Sequence, residues 1–282
     1  MGRVIETKHT HDVLKSDLVR KVKSAPPCVL ASVAIGDQFS SGVYLASQER
    51  LAREIGIEYR RIVLGKDTSL SALREALDAL NRDEKVTGIC VHKPFPPGWK
   101  EEEVFAALDP RKDVEGMTPW NLGKLFSGEP VFLSPTVRSV LKVLSLVSPD
   151  LYGKKVTLIG FSTLIGKPLA LLLGRRMATV TITHIATHER GDLPRFLQNA
   201  EIVISAAGVP ELVKADWIRP EAVVIDVGTG RKDGKLCGDV EFERIQAKAS
   251  AVTPVPGGVG KLTPLFLLDN AVTAARRTKQ EK

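Results

Sequence analysis

The sequence predicts an α/β protein of two domains, at least the second organised around a parallel sheet. Three observations predict this. Strand-like and helix-like segments alternate through the first half of the chain. The alternation restarts near residue 155, and there a glycine-bearing turn joins a strand to a helix. With 282 residues, the chain is long enough to bury two modest cores.

Residues 28–34 form a continuous apolar run and read as a buried strand. A helix over 41–55 follows and stops at Gly56, the residue type that most readily closes a helix. Residues 59–64 read as a second strand and 69–81 as an amphipathic helix. Residues 88–91 form a third strand, halted by Pro94, Pro96 and Pro97, which have no N–H to give a ladder. This βαβαβ order implies parallel strands with helices on the sheet faces. The second half repeats the scheme with a strand over 155–159, a helix over 168–176, and strands over 179–183, 202–206 and 222–227. The domain boundary is expected between 140 and 150. The last helix, 265–277, is expected to return to the first domain.

Composition excludes several classes. The chain is 43% hydrophobic and 26% charged, as in soluble globular proteins. No segment approaches the roughly 20 apolar residues that span a bilayer, and the polar N-terminus has no signal-peptide core. A cytoplasmic protein without membrane association is therefore expected. Cys28, Cys90 and Cys237 are too scattered for a metal or redox motif. The pairs His9/His11 and His184/His188 have no cysteine near them and match no metal-site spacing, so no metal is expected. The formal charge is +7, spread along the chain with one small cluster at Arg276, Arg277 and Lys279. No basic stripe is interleaved with aromatics, which argues against nucleic acid and leaves anionic small molecules as partners.

Four segments carry chemistry. Thr253-Pro254-Val255-Pro256-Gly257-Gly258-Val259-Gly260 can be neither helix nor regular strand, and its bare, stiff backbone suits packing against a flat ligand. Gly160-Phe161-Ser162-Thr163-Leu164-Ile165-Gly166 follows a strand and opens a helix. That context lets a pyrophosphate meet unpaired N–H groups, although Ser162 replaces the usual middle glycine. Gly208 and Asp226-Val227-Gly228-Thr229 stand at later strand ends, where a cofactor lies in such a sheet, though Asp226 alone reads equally as a loop cap. Finally, Tyr44 and Gln48 share a helix face, His92-Lys93 ends a strand, and Lys112-Asp113-Val114-Glu115-Gly116 sets two acids two residues apart. Taken singly, His92 reads as a structural histidine and the acidic pair as a solvated turn.

Together these segments, with Asn121-Leu122-Gly123-Lys124-Leu125 and Gly238-Asp239-Val240, resemble the methylenetetrahydrofolate dehydrogenase/cyclohydrolase (FolD) family over nearly the whole chain. The resemblance implies an N-terminal αβα folate-binding domain over 1–145, joined by the C-terminal helix 264–282, and a Rossmann-type NAD(P)-binding domain over 146–263. It implies a homodimer acting on one-carbon derivatives of tetrahydrofolate. Carried onto this sequence, the catalytic positions are Tyr44, Gln48, His92 and Glu115. Tyr44, Val91, His92, Lys93, Glu115 and the loop Pro256, Gly257, Gly258, Val259 and Gly260 would hold substrate. Gly160, Phe161, Ser162, Ile165, Gly166, His184, Gly208, Gly228 and Thr229 would hold NAD or NADP.

The chain departs from the family at telling positions. Gln48 stands for a lysine, His92-Lys93-Pro94-Phe95-Pro96 for Gln-Leu-Pro-Leu-Pro, and Glu115 for an aspartate. Hydride transfer needs mainly orientation, whereas hydrolysis of the methenyl product needs a tuned acid–base group. The expectation is therefore a dehydrogenase with weak or absent cyclohydrolase activity. The alternatives are the full bifunctional enzyme, with His92 titrating near neutrality in place of the lysine, a folate-binding pseudoenzyme, or an enzyme of an altered one-carbon or pterin substrate. Phe161 and Ile185 stand where NADP-using relatives place an arginine and a serine, which favours NAD. Arg175, Arg176 and Arg190 are the groups that would still reach a phosphate.

Overall fold

The structure is a computed structural model that describes residues 2–36 and 43–280, and of Val43 and Tyr44 the backbone only. In chain order the first half holds β1 (Arg3–Val4), α1 (Lys8–Lys23), β2 (Val29–Ile35), α2 (Val43–Ile55), β3 (Glu58–Leu64), α3 (Leu70–Arg82), β4 (Gly88–Val91), α4 (Glu101–Phe105), α5 (Pro119–Ser127) and α6 (Pro135–Val147). The second half holds β5 (Lys155–Ile159), α7 (Gly166–Arg175), β6 (Thr179–Thr183), α8 (Ile185–Glu189), α9 (Leu193–Gln198), β7 (Ile202–Ser205), β8 (Val223–Asp226), β9 (Gly230–Lys232), β10 (Lys235–Cys237), α10 (Phe242–Gln246), β11 (Ala251–Val252) and α11 (Thr263–Gln280). Of the expected helix over 41–55, residues 41 and 42 lie outside the described residues.

The chain divides into two compact units, one of residues 1–11 with 136–263 and one of residues 12–135 with 264–282. The division differs from a boundary at 145/146 for two reasons. β1 pairs in parallel with β11, which draws the N-terminal residues into the 136–263 unit. The segment around 140–150 is no linker: α6 runs through it with Val137, Val140, Val143 and Leu144 buried on one face.

The 12–135 unit is built on a parallel sheet in the order β3-β2-β4. Every residue of β2 is buried, and apart from Ser32 the strand is an apolar run rather than an alternating one. Its core joins Leu30, Cys90 and Val114 to Leu265, Leu268, Ala271 and Val272 of α11, so the C-terminal helix belongs to this unit. Asn270 of α11 fixes it there, donating to the carbonyls of Val114 at 2.7 Å and Leu133 at 2.9 Å.

The 136–263 unit holds a six-stranded sheet in the order β1-β11-β8-β7-β5-β6, parallel throughout. β5 has β6 on one side and β7 on the other. The chain reverses its direction of travel across the sheet at this point, and the ends of β5 and β7 border the crevice that such a reversal opens. β9 and β10 form a separate antiparallel ribbon.

Candidate active site

In the 12–135 unit His92, Lys93 and Glu115 stand at the carboxyl end of β4. The His92 amide donates to the Val33 carbonyl at 2.8 Å, which carries the chain one residue past the strand. The His92 ring turns inward and is 8% exposed. Its Nε2 lies 2.7 Å from Ser32 Oγ and 3.6 Å from Cys90 Sγ. Lys93 points elsewhere, to an ion pair with Glu101, and a cis peptide joins it to Pro94. The two neighbours thus part company as adjacent side chains of an extended segment should.

One expectation for His92 fails here. It does not titrate near neutrality, because burial pushes its pKa down to about 4. The ring is neutral at pH 7 and exchanges hydrogen bonds rather than protons. The sign of its effect on stability follows. A histidine depressed in the folded state contributes stability that is complete above its ordinary value of 6.5 and is lost as pH falls towards about 4. His92→Gln keeps an amide for Ser32 and removes this loss. The stability of the parent minus that of the variant should be flat above pH 6.5 and fall by about 3 kcal/mol on acidification to pH 4. Urea melts at a series of pH values measure it; a constant difference would mean that His92 ionises as it does in water.

The acidic segment is equally unlike a solvated turn. The Ile89 amide donates to the Lys112 carbonyl at 2.7 Å, so the segment runs beside β4. Lys112 is buried and its Nζ donates to the carbonyls of Leu80, Asn81 and Asp83, at 3.0, 2.7 and 2.8 Å, closing the end of α3. Asp113 is fully buried, and its Oδ2 accepts from the Thr118 amide and from Asn121 Nδ2, each at 2.7 Å. Both are therefore supports. Glu115, two residues on, turns back to β4, where its Oε2 accepts from the Val91 amide at 3.3 Å. Burial raises its carboxyl to about 7; the Asp113 charge adds to the rise, while hydrogen bonds from Cys90 and Val91 oppose it. The same burial raises the Cys90 thiol well above its usual value, so Cys90 is an inert partner.

Gln48 lies on α2, 3% exposed, and its Oε1 accepts from the Tyr59 hydroxyl at 3.0 Å. Sequence reasoning missed Tyr59, Ser32 and Cys90. Ser32 and Cys90 lie in strands buried along their whole length, so no alternation sets them apart, and Tyr59 is marked only as the buried residue between Glu58 and Arg60 of β3. The side chain of Tyr44 lies outside the described residues.

In the 136–263 unit, Gly160 to Gly166 join β5 to α7. A Cβ at Gly160 would stand 2.6 Å from the Ala206 carbonyl oxygen, and one at Gly166 would stand 2.3 Å from the Gly160 carbonyl oxygen. Ser162 Oγ accepts from the Ile165 amide at 3.2 Å, so the serine shapes the turn that a middle glycine usually shapes. Phe161 is 45% exposed, with Lys167 Nζ 5.7 Å from its ring, and Ile185 is 67% exposed. His184 is exposed and caps α8; Arg175 and Arg176 are also exposed, and Arg190 pairs with Asp192. A turn at the sheet's switch point, with no room for a Cβ at either end and opening a helix, fits the pyrophosphate of a dinucleotide.

Asp226 does act as a loop cap, accepting from the amides of Gly228 at 3.0 Å and of Asp239 and Val240 at 3.1 Å. Gly208, after β7, and Thr229, after β8, are exposed. The 253–260 loop is pinned by Thr7, whose Oγ1 donates to the carbonyls of Gly257 and Gly258, each at 2.9 Å. Val255–Pro256 is cis. Pro256 and Gly260 are exposed, Gly257 is half-buried, and Gly258 and Val259 are buried. Among the described residues no three His, Cys, Asp or Glu side chains cluster to hold a metal, and no helix is long and apolar enough to cross a membrane.

A parallel αβα unit and a Rossmann-type unit with a bare glycine turn, carried on one chain, define a two-domain, dinucleotide-dependent class of enzyme fold. Comparison with known proteins narrows it. The profile of the tetrahydrofolate dehydrogenase/cyclohydrolase catalytic domain matches residues 3–115, and that of its NAD(P)-binding domain matches residues 134–279. The bifunctional protein FolD of Exiguobacterium sibiricum is 41% identical over 263 residues, 93% of this chain and 94% of that one. The crystal structure of the bifunctional FolD of Campylobacter jejuni superposes with a TM-score of 0.91 at 33% identity, covering 98% of this chain and 99% of that one. The Trypanosoma brucei enzyme, solved with NADP and an inhibitor, gives 0.90 at 30% identity over 99% of each chain. The chain belongs to the tetrahydrofolate dehydrogenase/cyclohydrolase family.

Proposed function

We propose that this protein oxidises 5,10-methylenetetrahydrofolate to the methenyl cation with a nicotinamide cofactor, and that it also hydrolyses that cation to 10-formyltetrahydrofolate. The observation that carries the reading is the match of both family domains to relatives named bifunctional, with the glycine turn at the end of β5 kept bare. These names favour hydrolysis more than the substitution at Gln48 alone would suggest.

A bound nicotinamide supplies the hydride acceptor. The turn over 160–166 would hold its pyrophosphate and so place the nicotinamide, and the substrate's own nitrogen lone pair stabilises the cation, so no protein base is needed for that step. Hydrolysis differs, since water adds to the methenyl carbon, one proton leaves, and a carbon–nitrogen bond opens. Of Gln48, His92 and Glu115, only Glu115 changes protonation near neutral pH, its carboxyl raised by burial to about 7. Glu115 therefore takes the role the sequence offered to His92, with Cys90 hydrogen-bonded to it and His92 against Cys90.

A second reading keeps the dehydrogenase and drops the hydrolase. It is favoured by Gln48, uncharged, 3% exposed and engaged by Tyr59. A two-stage spectrophotometric assay separates the two. With methylenetetrahydrofolate and NAD or NADP, reduced cofactor should appear, and the methenyl product should then decay faster than without enzyme. Persistent methenyl product, with decay restored only by Gln48→Lys, would establish the second reading. The same assay ranks the cofactors. NAD is placed first because the side chains of Phe161 and Ile185 offer no donor to a 2′-phosphate; a higher kcat/KM with NADP overturns that order.

A further inference from the structure

The carboxyl edge of the 136–263 sheet holds two buried aspartates that no step above uses, Asp226 at 2% exposure and Asp239 at 0%. Asp239 Oδ2 collects three donors: Ser205 Oγ at 2.8 Å, the Ala207 amide at 2.7 Å and the Gly208 amide at 3.2 Å. Ser205 ends β7, and Ala207 and Gly208 form the turn that leaves it. That turn lies at the switch point of the sheet, beside the end of β5 and its glycine turn; Gly160 is so close to it that a Cβ there would meet Ala206. Asp239 thus reaches from a distant segment, across 34 residues of sequence from Ser205, to fix the wall of the cofactor crevice.

Asp226 in turn seats Asp239 by accepting from its amide and from that of Val240, and its own amide donates to Thr253 Oγ1 at 2.7 Å. Two glycines make room for the pair. A Cβ at Gly228 would stand 1.9 Å from Asp239 Oδ1, and one at Gly238 would stand 1.9 Å from Asp226 Oδ2. Asp239 Oδ1 itself is buried without a hydrogen-bond partner. An unpartnered buried oxygen is costly, and this one is carried by the residue that sets the turn.

We propose that Asp239, seated by Asp226, is a positioning residue for the nicotinamide cofactor, holding the Ala207–Gly208 turn in its binding shape before the cofactor arrives. The proposal rests on the cofactor use argued above. Charge-assisted bonds to backbone amides are stronger than neutral ones, so the turn is ordered in advance and binding does not have to order it.

The test uses the purified full chain, with NAD and NADP titrated separately against parent and variants. Asp239→Ala is expected to raise the cofactor KM and Kd about tenfold, while kcat and the folate KM stay within about threefold. Asp239→Asn, which keeps an acceptor oxygen for the turn, should recover most of the affinity. A role confined to stability would lower the melting temperature and the folded fraction without moving the cofactor KM, and that outcome overturns the proposal. If Asp239→Ala does not fold, residue-resolved amide exchange in the unliganded parent decides. Ala207 and Gly208 should be protected without cofactor; exchange at free-chain rates overturns the proposal. A parent that binds neither nucleotide refutes the functional reading and this proposal with it, whereas a parent that binds and an Asp239→Ala variant that binds equally well refutes this proposal alone.

Discussion

Gly166→Ala should weaken NAD(P) binding by about a hundredfold, close to 2.7 kcal/mol. The added Cβ would stand 2.3 Å from the Gly160 carbonyl oxygen and 2.7 Å from Phe161 Cα, both backbone atoms that no rotamer change can withdraw. The start of α7 must then move away from the end of β5. Overpacking of this kind costs about 1–3 kcal/mol in a tight core, and a displacement of about 1 Å in a positioning element can cost a hundredfold in function. Gly174 supplies the control. It lies in the same helix, and a Cβ added there would meet nothing within 4 Å. Gly174→Ala should therefore stabilise the unit by up to about 1 kcal/mol, the helix-propensity gain, and leave cofactor binding alone. Isothermal titration of both variants decides. Equal affinity in Gly166→Ala and Gly174→Ala would mean that the close approach of α7 to β5 is not what shapes the nucleotide turn.

The elements that carry this turn are legible because hydrophobic runs, glycines and a helix start follow one another within a short window. β2, β4, β5 and β7 are buried along their whole length or nearly so, and buried parallel strands announce themselves as unbroken apolar runs. α1 gives no such signal, since Leu18 is its one fully buried residue among those described. β1 and β11 are two residues each, and only their pairing, of β1 with β11 and of β11 with β8, makes them strands. α6 does carry a helical stripe, but it lies where the change between domains is expected, so nothing in the sequence marks its apolar face as core.

The site divides in the same way. The family resemblance points to Gln48, His92 and Glu115 as site positions, but not to their protonation. His92 and Glu115 are both moved by burial, in opposite directions, because burial disfavours the charged form of each. Burial depends on neighbours brought by the fold, such as Ser32 of β2 against His92 and the Val91 end of β4 against Glu115. Asp239 illustrates the same limit. Its three donors stand 31 to 34 residues away in sequence, and nothing local in Gly238-Asp239-Val240 points to them.

Asp113→Ala should destabilise the protein by about 3 kcal/mol, a large share of the roughly 5–15 kcal/mol that holds a typical domain. Asp113 is fully buried, and one of its oxygens serves two donors, the Thr118 amide at the start of α5 and the Asn121 side chain in its first turn. Thr118 caps that helix by accepting from the Asn121 amide at 3.2 Å, so the aspartate holds the residue that holds the helix. Removing it strands a buried N–H and half of a buried amide, which is the expensive kind of loss. The damage should reach the site, because Asp113 lies between Lys112, anchored on the end of α3, and Glu115, anchored on Val91. Asp113→Asn keeps one oxygen for both donors and puts its NH2 where the second oxygen has no partner, so it should cost no more than about 1 kcal/mol. Chemical denaturation of parent and both variants at pH 8 measures the two values. Similar losses for alanine and asparagine would show that the buried charge, rather than the hydrogen bonds to α5, is what Asp113 contributes.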